Sequence, residues 1–126
     1  MSSPISLVTL GGLTGAIPIG FGINLLLRPA HGLSFFEIPF PSSTSADFVT
    51  VAALTQAYAV RDIFMGVAIF AAAAHGARRS LGWILLATAA VGVADGVVCL
   101  NFGTGAEMNH FSYAPIIALL GLGLLR

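Results

Sequence analysis

The sequence contains very few charged residues and no lysine. Only 8% of its 126 residues are charged, about a third of the fraction in a typical soluble domain. The charged residues are Arg28, Glu37, Asp47, Arg61, Asp62, Arg78, Arg79, Asp95, Glu107 and Arg126. A surface exposed to water cannot be covered by so few charges, so the sequence predicts an integral, multi-pass membrane protein with the lipid bilayer as its solvent.

Other absences narrow the function. The net charge is zero and basic clusters are missing, which argues against a nucleic-acid partner. The lone cysteine, Cys99, cannot form an internal disulfide, and neither its spacing nor that of the three distant histidines indicates a metal site. The glycine run at 11–15 lacks the Lys-Ser/Thr of a phosphate loop. We therefore expect no metal and no cofactor.

Four apolar stretches account for the high hydrophobic content of 57% and the mean hydropathy of +0.97. They predict an all-α, four-helix membrane bundle in one domain spanning 1–126. The helices are expected at about 6–27, 48–74, 81–100 and 110–125, because about 20 residues cross the hydrocarbon core. Pro18 should kink the first helix. The fourth is short and needs Asn109 and His110, or a thinner bilayer, to span.

The charges between the helices predict an orientation. Arg78, Arg79 and Arg126 fall on one side, whereas the opposite side carries one arginine and three carboxylates. The positive-inside rule places both termini in the cytoplasm, and in a eukaryotic cell we expect the endoplasmic reticulum membrane. The apolar loop at 31–44 is predicted to cover the outer end, and the Gly-x-x-x-Gly pairs at 11/15 and 92/96 to allow close helix packing.

Three ionisable residues fall within the predicted helices: Arg61 and Asp62 in the second, Asp95 in the third. At about 1.5 Å per residue, the two carboxylates lie about 20 Å and about 22 Å from the inner ends of their helices. They should therefore lie at nearly one level, where the long Arg61 side chain can reach either. Charges at this depth cost roughly 2.5–3.5 kcal/mol each, and they usually mark functional sites.

Further polar side chains occur at or above this level. Tyr58 is one helical turn from Asp62, Asn24 is near the outer end of the first helix, and His110 and Tyr113 open the fourth. The inner half contains little besides threonines. The sequence thus predicts a polar pocket in the outer half, closed on the inner side by aliphatic packing.

The three charges have two interpretations. Arg61 could be a structural clamp that holds two helices together through both aspartates. However, two carboxylates around one arginine leave a net charge of −1 unless a proton is shared, which favours a functional role. The role of His110 also has two interpretations. It could be an interfacial helix-start residue, or a proton donor or substrate contact at the pocket mouth.

An Asp–Arg–Asp group suits a particular reaction. One ionised aspartate can deprotonate water or a substrate hydroxyl, while a protonated one donates to another oxygen. Activating one oxygen while protonating another is the chemistry of epoxide opening. Limonene-type epoxide hydrolases use such a trio on an unrelated soluble fold, so the parallel concerns chemistry and not ancestry.

The segment Tyr58-Ala-Val-Arg61-Asp62-Ile-Phe-Met-Gly66, with Ala94-Asp95-Gly96 and His110, resembles a family of small four-helix integral membrane proteins. Many of its members are fungal and known only as a domain of unknown function. Some small membrane proteins of this appearance are associated with fungal polyketide clusters, in which a flavin monooxygenase makes epoxides and a partner opens them. The resemblance implies a membrane-embedded, cofactor-independent epoxide hydrolase or cyclase that acts on a lipophilic secondary metabolite.

The resemblance also implies residue roles. Asp62 and Asp95 would be the acid–base pair, in either order, and Arg61 would orient them. Tyr58 would donate a hydrogen bond to the developing alkoxide. Substrate contacts at the mouth would come from His110, Asn24 and Tyr113, and the apolar loop segment at 35–40 would cover the entrance.

Two functional classes other than an enzyme remain open. A small proton-coupled transporter would use the aspartates as proton carriers, and would need a homodimer to line a path. The scarcity of polar residues in the inner half argues against a continuous route. The third class is a membrane assembly subunit, in which the glycine faces bind a partner and the Arg–Asp clamp is structural.

Overall fold

A computed structural model describes residues 6–126, which contain seven helices and no strand. Residues 1–5, part of the N-terminus predicted to be cytoplasmic, lie outside the described residues. The helices are α1 (Leu7–Leu13), α2 (Ala16–Leu27), α3 (Pro29–Ser34), α4 (Phe48–Ala74), α5 (Arg78–Phe102), α6 (Met108–Phe111) and α7 (Ala114–Leu125). Within the described residues, four helical segments are long and apolar enough to cross a membrane. The predicted all-α bundle is confirmed.

The first membrane span, Leu7–Leu27, is interrupted between α1 and α2. The break lies at Thr14 and Gly15, one turn before Pro18, where the kink was predicted. Proline has no N–H to donate to the carbonyl four residues earlier, and its ring crowds that carbonyl. The Thr14 carbonyl instead accepts from the Ile17 N–H at 3.1 Å. The proline therefore displaces the hydrogen bonding of the preceding turn.

The remaining spans lie close to their predicted positions. The second has the predicted bounds, 48–74, whereas α5 begins three residues before the predicted 81 and ends two residues after 100. The last span, Met108–Leu125, has 18 residues, because α6 extends it at its start as the prediction required. α6 and α7 are separated by Ser112 and Tyr113, just before Pro115, which is tolerated in the first turn of a helix.

The spans pack as an antiparallel ring, with the most extensive contacts between α2 and α4 and between α5 and α7. Glycines permit these close approaches. A Cβ on Gly15 would lie 2.8 Å from the Gly66 carbonyl oxygen, and one on Gly82 would lie 3.0 Å from that of Gly121. Both distances are too short for any larger residue without movement of the backbone. The expected role of glycine in helix packing is confirmed at Gly15.

The two ends of the bundle differ. The turn end carries the tight connection at 75–77 and the C-terminus, and its half of the bundle is filled by buried aliphatic side chains, among them Ile69, Leu81, Leu85 and Leu124. At this end the Arg78 guanidinium donates to the carbonyls of Leu124 and Gly123, at 3.0 and 3.1 Å. Arg78 thus satisfies carbonyls at the end of α7 that lack partners within the helix.

The loop end carries the connections at 28–47 and 103–107. The predicted loop at 31–44 starts inside α3, because Pro29 at the first helical position begins a new helix directly after α2. The segment that follows folds back over the bundle: the Asn109 side-chain amide donates to the Phe35 carbonyl at 3.1 Å, and the Thr104 hydroxyl donates to the Glu37 carboxylate. These bonds hold Phe36 in a buried position.

Candidate functional site

The three charged side chains inside the spans form one cluster. Arg61 Nη2 lies 3.0 Å from Asp62 Oδ1 and 3.1 Å from Asp95 Oδ2, and Arg61 Nε adds a second bond to Asp62 at 3.3 Å. Antiparallel packing of α4 and α5 brings the two carboxylates to one level, as their depths in the sequence predict. Arg61 contacts both carboxylates. The sequence predicted only that its side chain could reach either one.

Tyr58 completes the cluster from one turn earlier on α4. Its hydroxyl donates to Asp95 Oδ2 at 2.6 Å, and its ring faces the Arg61 guanidinium, whose Cζ lies 3.7 Å from the ring centroid. A guanidinium stacked in this way is attracted by the π face. Tyr58 therefore fixes Arg61 from one side and Asp95 from the other.

The two carboxylates have different surroundings, although each is only 6% exposed. Both oxygens of Asp95 accept hydrogen bonds, from Tyr58 and Arg61. Asp62 accepts only through Oδ1, and only from Arg61. Its Oδ2 receives no hydrogen bond from any residue that the structure describes. Asp62 is thus the carboxylate with a vacant acceptor position, whereas Asp95 is held in place.

Both carboxylates line a cleft enclosed by all four spans in the loop-end half. The lining includes Ile17, Phe21, Phe35, Tyr58, Asp62 and His110. The cleft holds about 740 Å³ of empty space when its open side is counted.

The first span has different neighbours before and after its interruption. α1 contacts α4, α5 and α7, whereas α2 contacts α4 and has no comparable contact with α7 among the described helices. Of the lining residues of the cleft, Ile17, Phe21 and Asn109 are exposed. Two of these three side chains are apolar.

His110 lines the cleft from α6 and is 6% exposed. Neither of its ring nitrogens has a hydrogen-bond partner among the described residues. Phe36 contacts the His110 ring at a centroid distance of 4.4 Å and the Tyr58 ring at 5.4 Å, so three rings form a continuous aromatic wall. His110 is therefore buried inside the bundle, in the short helix that opens the last span.

Of the two remaining predicted site residues, one lines the cleft and the other does not. Tyr113 lines the cleft, with its ring against Gly92. Asn24 does not line it, because its side-chain oxygen accepts from His31 Nδ1 at 3.0 Å, which directs it towards α3. Sequence reasoning did not single out Phe36, since the loop pattern alone does not show which of its aromatic residues is buried. No group of three possible metal ligands occurs among residues 6–126.

The outer surface of the bundle is apolar, with exposed side chains such as Leu27, Val49, Phe64 and Leu119. A water-soluble monomer rarely exposes so much apolar surface. Together with the four spans, this surface defines a multi-pass membrane protein, a four-helix bundle in which one arginine bridges two buried carboxylates.

The family is shown by sequence comparison. A family model described as "Domain of unknown function (DUF4267)" matches residues 15–124, and the chain belongs to that family. Comparisons with curated proteins and with solved structures found no match.

Proposed function

We propose that this protein is a membrane-embedded epoxide hydrolase or cyclase that acts on a lipophilic secondary metabolite. The observation that carries the proposal is the pair Asp62 and Asp95, which line one cleft and are bridged by Arg61. Acid–base opening of an epoxide needs one group that accepts a proton and another that donates one. The chain offers both within reach of one enclosed space.

We assign the roles of the two carboxylates from their different surroundings. Asp95, which the hydrogen bonds from Tyr58 and Arg61 favour in its ionised form, takes the proton from the attacking water or, in cyclisation, from a substrate hydroxyl. The oxygen of that nucleophile forms a bond to an epoxide carbon as the carbon–oxygen bond of the ring breaks. Asp62, which has fewer donors, carries the shared proton and gives it to the ring oxygen, and Tyr58 donates a hydrogen bond to that oxygen as charge develops. The proton on Asp95 then returns to Asp62 through water in the cleft.

Charge balance supports a single shared proton. With both aspartates ionised the cluster carries −1, and one proton makes it neutral. A neutral cluster is the least costly state where the surroundings are apolar. One proton on the pair is also the state that an acid–base cycle requires at its start.

The lining supports a lipophilic substrate. Ile17 and Phe21 are exposed apolar residues of the first span that also line the cleft. A lipophilic molecule in the bilayer would meet these side chains on its way to the aspartates. With Arg78, Arg79 and Arg126 at the turn end, the positive-inside rule favours a cytoplasmic position for that end, and in a eukaryotic cell we propose the endoplasmic reticulum membrane.

The test compares turnover of a panel of lipophilic epoxides by purified wild type, Asp62→Asn and Asp95→Asn. General acid–base catalysis contributes about 10²–10⁴-fold, and each variant should lose activity in that range while remaining folded. Asp47→Asn is the matched control, because Asp47 is exposed and outside the cleft, and should leave turnover unchanged. Absence of diol and of cyclised product from the wild type across the panel would refute the proposal.

A structural clamp is the second candidate, and one observation favours it. α4 and α5 contact each other less extensively than α2 contacts α4 or α5 contacts α7, and the Arg61 cluster bridges that weaker seam. In this case Asp62→Asn and Asp95→Asn would lower thermal stability, and every variant, like the wild type, would be inactive towards epoxides.

A further inference from the structure

We infer that the Tyr113 hydroxyl binds the water molecule that attacks the epoxide. The inference deepens the proposed function and rests on it for the reaction. It goes further in one respect, because it selects water over a substrate hydroxyl as the nucleophile. The evidence is the free hydroxyl of Tyr113, the bonded state of the other hydroxyl groups in the lining, and the position of Tyr113 beside Asp95.

The first observation is that the Tyr113 hydroxyl has no partner. Tyr113 is half-buried and lines the cleft. Its hydroxyl makes no hydrogen bond with residues 6–126, and it is not among their enclosed polar atoms. Buried tyrosines usually find a hydrogen-bond partner, and a phenol hydroxyl can both donate and accept. A molecule in the cleft can therefore supply the partner that the described residues do not.

The other hydroxyl groups of the described lining are already bonded. Thr14 and Thr88 donate to backbone carbonyls one turn earlier in the chain, at 2.6 and 2.9 Å. Tyr58 donates to Asp95 at 2.6 Å. Within the described part of the chain, Tyr113 is thus the lining residue whose hydroxyl can still bond to a molecule in the cleft.

The third observation is the position of Tyr113 beside Asp95. The Tyr113 ring packs against α5 at Gly92, where a Cβ would lie 3.0 Å from the ring atom Cε2 and 3.3 Å from the hydroxyl oxygen. Gly92 precedes Asp95 by three residues, so their Cβ positions lie on one face of α5, about 5–6 Å apart. Helical side chains lean towards the preceding turn, which directs the Asp95 carboxylate towards Tyr113. One water molecule can bridge a gap of this size, since each of its hydrogen bonds spans about 2.8 Å.

These two contacts orient the water for attack. One O–H of the water donates to Asp95, which takes that proton, and the other O–H donates to the Tyr113 hydroxyl oxygen. The water oxygen forms a bond to an epoxide carbon as the carbon–oxygen bond of the ring breaks, and Asp62 gives its proton to the ring oxygen. Tyr113 neither gains nor loses a proton. A substrate hydroxyl has a single O–H and is positioned by its own chain, so cyclisation does not need this contact.

Thermal stability tests whether the Tyr113 hydroxyl has a structural bond. Tyr113→Phe removes a hydroxyl without a described partner, so the melting temperature in detergent should equal that of wild type. Tyr58→Phe removes the donor to Asp95 and should lower the melting temperature. A fall in Tyr113→Phe as large as that in Tyr58→Phe would show that the Tyr113 hydroxyl is bonded within the protein, and would overturn the inference.

Binding tests the contact without any reaction. Two probes are compared: a long-chain vicinal diol, in which one hydroxyl derives from the attacking water, and the alkane of the same length. Tyr113→Phe should bind the diol about tenfold more weakly than wild type, the effect of one hydrogen bond, and the alkane equally well. Ser112→Ala is the control, because it removes a hydroxyl from an exposed neighbour outside the cleft, and should leave both affinities unchanged.

Product analysis tests the choice of nucleophile. The probe is a long-chain terminal epoxide with a hydroxyl group several carbons from the ring, which either water or its own hydroxyl can open. Tyr113→Phe should form the product of water attack about tenfold more slowly and the cyclic ether at an unchanged rate. An equal fall in both products, or a wild type that forms only the cyclic ether, would contradict the inference.

The outcomes separate the two proposals. Weaker diol binding by Tyr113→Phe, with no turnover of any epoxide by wild type, would support the contact of Tyr113 with a ligand hydroxyl and refute the epoxide reaction. Turnover by wild type, with diol binding and product ratio unchanged in Tyr113→Phe, would support the reaction and overturn the role of Tyr113. Failure of wild type to bind the diol also overturns it.

Discussion

The two halves of this bundle use the same four helices in opposite ways. In the turn-end half, Ile69, Leu81 and Leu85 are fully buried and fill the space between the helices. In the loop-end half, the helices enclose a cleft lined by Asp62 and Asp95, which Arg61 bridges. One half is packed tightly and the other is kept partly empty and charged. The comparison separates the part of the molecule that stabilises the bundle from the part that offers chemistry.

The first span has different neighbours in the two halves. Up to Thr14 the span contacts α4, α5 and α7, and beyond it α2 contacts α4 and has no comparable contact with α7 among the described helices. Pro18 belongs to this second part and lines the cleft, although it is far from the charged cluster in sequence.

The largest effect on stability is expected from Arg61→Gln, in the loop-end half. It leaves two buried carboxylates with no cation between them, and removal of one partner from a buried ion pair costs about 3 kcal/mol or more. Thermal unfolding in detergent should show a clear fall in the midpoint. Because the loss comes from unpaired charge, adding Asp62→Asn to the variant should restore part of it. A double variant no more stable than Arg61→Gln alone would show that charge does not cause the loss.

A smaller effect is expected from Leu85→Ala, in the turn-end half. In a bilayer the unfolded helices are already surrounded by hydrocarbon, so only the packing part of the usual cost remains. The free energy of unfolding should fall by about 1–3 kcal/mol. The affinity for the epoxide probes should stay within about twofold of wild type, since Leu85 does not line the cleft. A large change in affinity would mean that the two halves are coupled.

The smallest effect is expected from Arg78→Gln, at the turn end. The substitution removes the charged donor to the Leu124 and Gly123 carbonyls but retains an amide that can reach one of them. We expect a loss of about 1 kcal/mol in unfolding free energy and no change in turnover. Arg79→Gln is the matched control. Arg79 is the neighbouring arginine, and both hydrogen bonds to the carbonyls of α7 come from Arg78. Equal losses in the two variants would show that general charge at this end, not the bonds to α7, is responsible.

The sequence predicted correctly those features that depend only on residue spacing along one helix. The second span was predicted with its observed bounds, since a long apolar run with few charges allows one arrangement in a membrane. The common level of Asp62 and Asp95 followed from the helical rise and the tight turn between their helices. The contact of Arg61 with both carboxylates needed the actual distance between α4 and α5, so only its reach could be predicted.

Other features depended on neighbours that the sequence does not reveal. Asn24 was predicted to line the cleft, but its side chain bonds to His31. His31 lies in α3, whose residues 31–34 belong to the segment predicted as a loop. Phe36 could not be separated from the other aromatic residues of its loop, because its burial depends on Asn109 and Thr104 from a distant connection. Arg78 was interpreted only as a signal of orientation, although it also binds the end of α7.

The sequence by itself determined the solvent, the four spans and the depth of the charged residues, because these follow from composition and from the fixed rise of a helix. The tertiary structure alone decided that Asp62 keeps a vacant acceptor position while Asp95 is held by Tyr58 and Arg61. It also decided that the His110 ring is buried against Phe36. The reason is physical: hydrogen bonds and burial are set by side chains that approach from other helices, and spacing along one helix does not determine them.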